Sequence, residues 1–318
     1  MKLGSIGTNF ISDLLAEAAK EEGILLSAVY SRKEESGRAF ADKHGIPSVY
    51  TDYSDFLKCG IEAVYVASPN SLHYSQSKEA LLAGLSVLCE KPAVPTVAQY
   101  RELVSLAKAR GLIFLEAMRP AHDPSLAILR QGVQRLGKIR HAVLEYCQYS
   151  SRYDAFLAGD VKNAFNPALC NAAVMDIGVY PIHTCIRLFG MPKDVASHSI
   201  FLSNGFEGEG IAHLIYDEMQ VDVLYSKITQ SVRPSVITGE QGSLCFSVPN
   251  TPQSITLCLR RQEEELLSYT PVKNNMIYEL REFVRLHTAG EADHPHLLPT
   301  EATIAVIEKI CASSGIRF

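Results

Sequence analysis

The sequence predicts a doubly wound parallel α/β sheet in its first third, followed by an α+β domain built on a large, mostly antiparallel sheet. Three observations carry this. Short apolar segments alternate with helical ones from Lys2 to Ala117, with glycines at the junctions. One of them, Ala63-Val64-Tyr65-Val66-Ala67, is apolar throughout, as expected of a strand covered on both faces. Beyond Met118 the period changes to two: Met219, Val221, Val223 and Tyr225 share one face of a strand, and Gly239-Glu240-Gln241-Gly242 marks a turn. The domains are therefore expected at 1–118 and 119–318.

Each element has a local reason. Lys2–Ile6 reads as a strand, Gly7-Thr8-Asn9 as a turn, and the Leu-, Ala- and Glu-rich stretch to about Gly23 as a helix. Residues 24–30 form the next strand, and a helix at Glu34–His44 is closed by Gly45. The loop 68–73 leads to a helix ending at Gly84, before the strand Ser86–Glu90. Thr96-Val97-Ala98-Gln99 has capping-box spacing and opens a helix that Gly111 stops; 112–117 is one more strand. Right-handed crossovers turn such a run into a parallel sheet. Downstream, Asp123-Pro124 caps a helix ending near Gly137, 139–149 is a long strand, and 211–230, 235–248 and 253–260 alternate as strands. Amphipathic helices around 278–286 and 301–313 cap the core.

Composition narrows the function. The 318 residues are 47% hydrophobic and 20% charged, with a net charge of -5. That is ample for two cores and argues against a nucleic-acid backbone binder. No apolar run approaches the roughly 20 residues of a membrane span. The strand that begins at Lys2 leaves no room for a signal peptide, so a cytoplasmic protein is expected. Eight scattered cysteines without a Cys-x-x-Cys pair read as reduced, mostly buried thiols. His294-Pro295-His296 has no nearby acids and reads as a solvated loop; no metal site is expected.

The chemistry-bearing residues lie where the strands end, which is where open parallel sheets bind ligands. Gly7, Thr8, Asn9, Phe10 and Ile11 follow the first strand as a glycine-rich turn would, although Asn9 stands where a second glycine is usual. Asn tolerates left-handed backbone angles better than most residues. The second strand ends in Ser31, Arg32 and Lys33 rather than an acid, which suits the 2′-phosphate of NADP; NAD remains possible. Glu90-Lys91-Pro92 ends another strand and offers Lys91 as base or hydrogen-bond donor. Asp176 and Tyr180, four residues apart, share a helical face; His183 is either a further pocket donor or a core histidine.

With Ser68-Pro69-Asn70-Ser71-Leu72-His73, then Glu90-Lys91-Pro92, then Asp176-Ile177-Gly178-Val179-Tyr180, the chain resembles the Gfo/Idh/MocA family of oxidoreductases. The resemblance implies a Rossmann domain in which Ser68, Pro69, Asn70 and His73 line the dinucleotide, with Asn70 and His73 near the nicotinamide. It places Glu90 and Lys91 at the junction with the substrate, and often a cis bond before the proline at Pro92. A tyrosine at Tyr180 is more like the dihydrodiol dehydrogenase and glucose-fructose oxidoreductase branches, where inositol dehydrogenase-like members have histidine. The resemblance also implies sheet-to-sheet homodimers or dimers of dimers.

The expected reaction moves a hydride between nicotinamide and a sugar, polyol or related cyclic alcohol. Tyr180 would exchange the proton, Lys91 would bind the reacting oxygen, and Asp176 would orient a substrate hydroxyl or the lysine. A phenol, with an ordinary pKa of about 10, needs a cation nearby to work at neutral pH. Tyr146, Tyr149, Tyr153 and Phe156 could floor a sugar pocket. Two other readings stand beside it: a nucleotide-bound regulator that lost the chemistry, against which the intact Lys91, Asp176 and Tyr180 count, and a reductase of a non-sugar carbonyl or imine that uses the same residues.

Overall fold

The computed structural model of the chain describes residues 1–267 and 270–318. These divide into two compact units: Met1–Met118 with Lys273–Leu298, and Arg119–Val272 with Pro299–Phe318.

The first unit holds six strands, β1 (Lys2–Ile6), β2 (Leu25–Tyr30), β3 (Ser48–Tyr50), β4 (Ala63–Val66), β5 (Ser86–Glu90) and β6 (Phe114–Ala117). They form a parallel sheet in the order β3-β2-β1-β4-β5-β6. The order reverses between β1 and β4, so the crevice at their carboxyl ends is the switch point where such sheets take ligands. The helices are α1 (Phe10–Glu21), α2 (Glu34–His44), α3 (Tyr53–Leu57), α4 (Asn70–Leu82) and α5 (Val97–Arg110). Left-handed Gly45 and Gly111 end α2 and α5, and the Thr96 side chain accepts from Gln99 N at the start of α5, as the capping pattern predicted. The three-residue β3 was too short to show a period.

The second unit carries α6 (Arg119–His122), α7 (Ser125–Arg135), α8 (Tyr153–Leu157) and α9 (Val179–Phe189) around eight strands. These are β7 (Ile139–Cys147), β8 (Asp194–Phe201), β9 (Glu207–Ile215), β10 (Gln220–Ser226), β11 (Ser235–Gly239), β12 (Gly242–Phe246), β13 (Ile255–Leu259) and β14 (Glu265–Leu266). Their order is β14-β13-β12-β11-β7-β10-β9-β8, antiparallel except for the β7–β10 pair. Val221, Val223 and Tyr225 point inward with Ala142, Leu144, Ala212 and Leu214, all fully buried. β8 escaped the sequence reading because its pattern, Asp-Val-Ala-Ser-His-Ser-Ile-Phe, buries little of either face.

Two helices follow, α10 (Met276–Ala289) and α11 (Leu297–Ser314). Sequence order put α10 in the second domain, but residues 273–298 cluster with the first unit. Asn274 Nδ2 donates to Leu14 O at 2.7 Å, Arg281 pairs with Glu22, and Leu280, Phe283 and Leu286 are fully buried. An amphipathic helix joins whichever core its stripe fits, and sequence separation does not reveal which.

Three sequence expectations change. His294 and His296 are not a solvated loop: His294 is 4% exposed with Nε2 at 3.1 Å from Phe114 O, and His296 Nε2 lies 2.8 Å from Glu282. All eight cysteines are free, but only Cys89 and Cys185 are buried. Finally, Pro167–Phe189 is long and apolar enough to cross a membrane, yet 78% of its window is buried, so it is a core segment of its unit.

Candidate active site

In the first unit the turn after β1 is built around Gly7. Its φ is +105, and a Cβ there would sit 2.6 Å from Ala67 O at the end of β4. Only glycine allows the two strand ends to approach so closely. Asn9 does not take the left-handed role expected of it. Its backbone is extended (φ -92, ψ 178) and it is the N-cap of α1, its Oδ1 accepting from Ile11 N and Ser12 N while Nδ2 donates to Ala67 O at 2.9 Å. An asparagine replaces the second glycine because the position needs a cap and a tie to β4. Thr8 and Phe10 flank the cap, with Phe10 68% exposed. At the end of β2, Ser31 is buried and its Oγ donates to Lys33 O at 2.9 Å, while Arg32 and Lys33 are exposed. Gly37 in α2 packs closely on this corner: a Cβ there would lie 2.7 Å from Val49 Cγ1 and 3.1 Å from Ser31 Cβ. A glycine turn at a helix N-terminus beside two cations is a donor set that fits a dinucleotide bearing a 2′-phosphate.

Lys91 sits on a rigid corner. β5 ends at Glu90, which is 8% exposed and accepts from Tyr65 OH at 2.5 Å and from Lys91 N at 3.2 Å. The Lys91–Pro92 bond is cis, as the resemblance implied. Pro92 O lies 3.0 Å from His73 Nδ1, and Ala93 N donates to Glu116 Oε1 at 2.9 Å. The backbone on both sides of Lys91 is thus held by buried side chains, and the lysine itself is half-exposed.

Asn70 opens α4 directly after Pro69 and Ser68, one turn before His73. His73 is 1% exposed, with Nε2 at 2.9 Å from Ser68 O and Nδ1 facing Pro92 O. Burial holds its imidazole below the usual histidine range, against the pull of the two carbonyls. Both ring nitrogens face backbone carbonyls, and a neutral imidazole donates to only one of them, so the ring sits between the Ser68 and Pro92 corners and hydrogen-bonds one of the two.

In the second unit the helix carrying Asp176 and Tyr180 begins as a π-helical turn, Val174–Gly178, and continues as α9. Pro181 lies just after it. A proline lacks the N–H and crowds the carbonyl four residues back, and the wider turn comes immediately before it. Gly178 is required by packing: a Cβ would lie 2.9 Å from Tyr225 Cγ. Gly210 is required by the same ring, since its Cβ would overlap the Tyr225 hydroxyl.

Tyr180 is 4% exposed, receives a hydrogen bond from Arg119 Nη2 at 3.3 Å, and has its ring 5.9 Å from that of Tyr146. Asp176 is partly exposed and pairs with Lys227 at 2.7 Å. His183 is 2% exposed, with Nδ1 3.0 Å from Thr303 Oγ1, a tie from α9 to α11. Tyr149, Tyr153, Phe156, Phe165 and Phe206 form a chain of ring contacts, stacked between Tyr153 and Phe165.

Three residues of this centre escaped the sequence reading: Arg119, Lys227 and Glu207. Arg119 and Lys227 are cations within two residues of a strand's end, the same signal that singled out Lys91. Glu207 opens β9, is 1% exposed, and accepts from Val174 N, Ser199 Oγ and Tyr225 OH. Among the described residues no group of three or more His, Cys, Asp or Glu is placed to hold a metal ion.

The model of a family described as an oxidoreductase family with an NAD-binding Rossmann fold, GFO_IDH_MocA, matches residues 1–118. The scyllo-inositol 2-dehydrogenase (NADP(+)) IolU of Bacillus subtilis is 39% identical over 90% of this chain and 88% of its own length. The chain belongs to the Gfo/Idh/MocA family. It is accordingly a nicotinamide-dependent oxidoreductase. A second family relative, the trans-1,2-dihydrobenzene-1,2-diol dehydrogenase of Macaca fuscata fuscata, is 30% identical over 100% of this chain and 96% of its own. Among solved structures KijD10, a 3-ketoreductase from Actinomadura kijaniata in complex with NADP and TDP-benzene, shares the fold with a TM-score of 0.87. It is 21% identical over 99% of this chain and 98% of that one.

Proposed function

We propose that this family member is an NADP-dependent dehydrogenase of a sugar, polyol or related cyclic alcohol. The observation that carries the reading is the buried Tyr180 hydroxyl held by the Arg119 guanidinium, one helical turn after Asp176. A proton carrier beside a cation, preceded by an acid able to orient a hydroxyl, is what alcohol–carbonyl interconversion asks of a protein. Arg32 and Lys33 support NADP, and a relative 39% identical is named as NADP-dependent.

The bound nicotinamide supplies the hydride donor or acceptor. The chain's own residues do the rest. Lys91 binds the reacting oxygen by a charge-assisted hydrogen bond. Tyr180 takes the hydroxyl proton in oxidation and returns it in reduction. Asp176 accepts from a neighbouring substrate hydroxyl and sets the face presented to the cofactor.

The outer face of the large sheet suits a second copy of the chain, giving a homodimer or a dimer of dimers. It carries Val143, Ile211 and Leu224 at its centre and Ile200 and Ile215, 49% and 45% exposed, toward one edge. Light scattering at micromolar protein should exceed the 35.0 kDa monomer.

The decisive experiment is turnover with a panel of inositols, aldoses and cyclic diols, with NADP binding measured on the same samples. Tyr180→Phe should lower single-turnover hydride transfer about 10²–10⁴-fold while nucleotide affinity stays constant. Nucleotide binding without turnover of any alcohol or carbonyl would show a regulator instead.

A further inference from the structure

Lys227 is a buried cation that the proposed chemistry does not use. Its side chain is 5% exposed. Nζ lies 2.7 Å from Asp176 Oδ2 and donates to Ala164 O at 2.9 Å. The ammonium also stands 4.9 Å from the Phe165 ring centroid and 5.3 Å from that of Phe206. Its backbone N–H donates to Gly208 O at 2.8 Å, so the side chain starts from a fixed point on the sheet.

Such an arrangement is weak evidence of a stabilising role: taking an ammonium out of water is expensive, and apolar replacement of a whole buried pair is often neutral or stabilising. The aromatic faces and one carbonyl recover part of that cost. Asp176, by contrast, keeps 40% of its side chain exposed and could be solvated without the lysine. The pair is therefore lopsided: the cation is locked, and the carboxylate it holds still faces outward. A locked donor on one oxygen fixes the plane of a carboxylate whose side chain is still 40% exposed.

We propose that Lys227 is a positioning residue that holds Asp176 in the orientation that receives a substrate hydroxyl. The inference rests on the reading that Asp176 touches the substrate. It assigns to Lys227 no contact with substrate or cofactor. Its whole effect passes through the Asp176 carboxylate, and its removal should change catalysis without unfolding the unit. Lys227→Met keeps an apolar stem beside Phe165 and Phe206 and removes the charge together with the donor to Ala164 O.

The test is a double-mutant cycle on kcat/KM with the best alcohol of the panel, using Asp176→Asn, Lys227→Met and both together. Thermal unfolding and NADP affinity are recorded for each. Lys227→Met should lower kcat/KM about 10- to 100-fold, with Tm unchanged or raised and NADP affinity unchanged. In the Asp176→Asn background the same change should cost less than about twofold, because the group it positions is already gone. Additive losses, or no loss in Lys227→Met alone, would overturn the proposal while leaving Asp176 in place as a substrate ligand. An Asp176→Asn enzyme with full turnover would instead overturn the underlying reading of the site. If Lys227→Met does not fold, Lys227→Gln carries the same cycle with a neutral donor retained for Ala164 O.

Discussion

Glu207 Oε2 accepts the Val174 amide at 2.8 Å, so a buried carboxylate on a strand holds the first turn of the helix that presents Asp176 and Tyr180. Its other oxygen takes the hydroxyls of Ser199 and Tyr225, both at 2.9 Å. The ring of the same Tyr225 presses on Gly178. Position of the helix, identity of its glycine and orientation of its acid are thus set from one patch of the sheet.

This anchoring predicts a pH signature. Burial pushes the Glu207 carboxyl above its ordinary value of 4.5, against the pull of the Val174, Ser199 and Tyr225 donors. A carboxyl with a raised folded-state pKa contributes its stability fully below 4.5 and loses it as pH rises through the raised value. Glu207→Gln also gives up an acceptor, at about 1–3 kcal/mol. The stability gap between wild type and Glu207→Gln should therefore be widest in acid and narrow toward neutral pH. Urea unfolding at stepped pH measures it, and a gap that widens with pH would contradict the assignment.

Gly178→Ala should be felt as overpacking. The new Cβ would meet Tyr225 Cγ at 2.9 Å and Cδ1 at 3.0 Å, both part of a rigid, fully buried ring. A loss of about 1–3 kcal/mol in chemical denaturation is expected. Turnover should drop with it, because the helix can relieve the clash only by moving Asp176 or Tyr180. Unchanged stability and turnover would mean that the ring yields.

Gly7→Ala should act on the other unit. With φ at +105 and a Cβ 2.6 Å from Ala67 O, the turn must open. Nucleotide affinity is expected to fall at least tenfold, read by fluorescence titration of the nicotinamide, while the apo protein remains folded. Wild-type affinity would show that the dinucleotide does not use this turn.

Cofactor preference is tested at Arg32. If Arg32 and Lys33 hold a 2′-phosphate, NADPH binds more tightly than NADH, and Arg32→Ala removes about 1.5–3 kcal/mol of that preference, roughly ten- to a hundredfold. Equal affinity of the wild-type protein for both cofactors would end this reading.

Local pattern was enough to read the parallel α/β unit and most of the sheet after it. The reason is local: unbroken apolar strands such as 63–67, glycine stops at Gly45 and Gly111, the Thr96 cap and the period of two through Tyr225 each act within a few residues. It also singled out Lys91, Asp176 and Tyr180 as candidates, because their order and spacing lie along the chain. Tertiary structure alone decided what surrounds them. Arg119 reaches Tyr180 across 61 positions. Glu207 and Lys227 reach the π turn from two strands of the sheet. Helix α10 joins the first unit although its sequence lies beyond the second unit's strands. No local pattern marks such contacts, because a buried charge is tolerated only where the fold delivers its partner. Asn9 shows the same boundary from the other side: its identity suggested a left-handed turn, and the Ala67 carbonyl that the fold brings to it made it an extended helix cap.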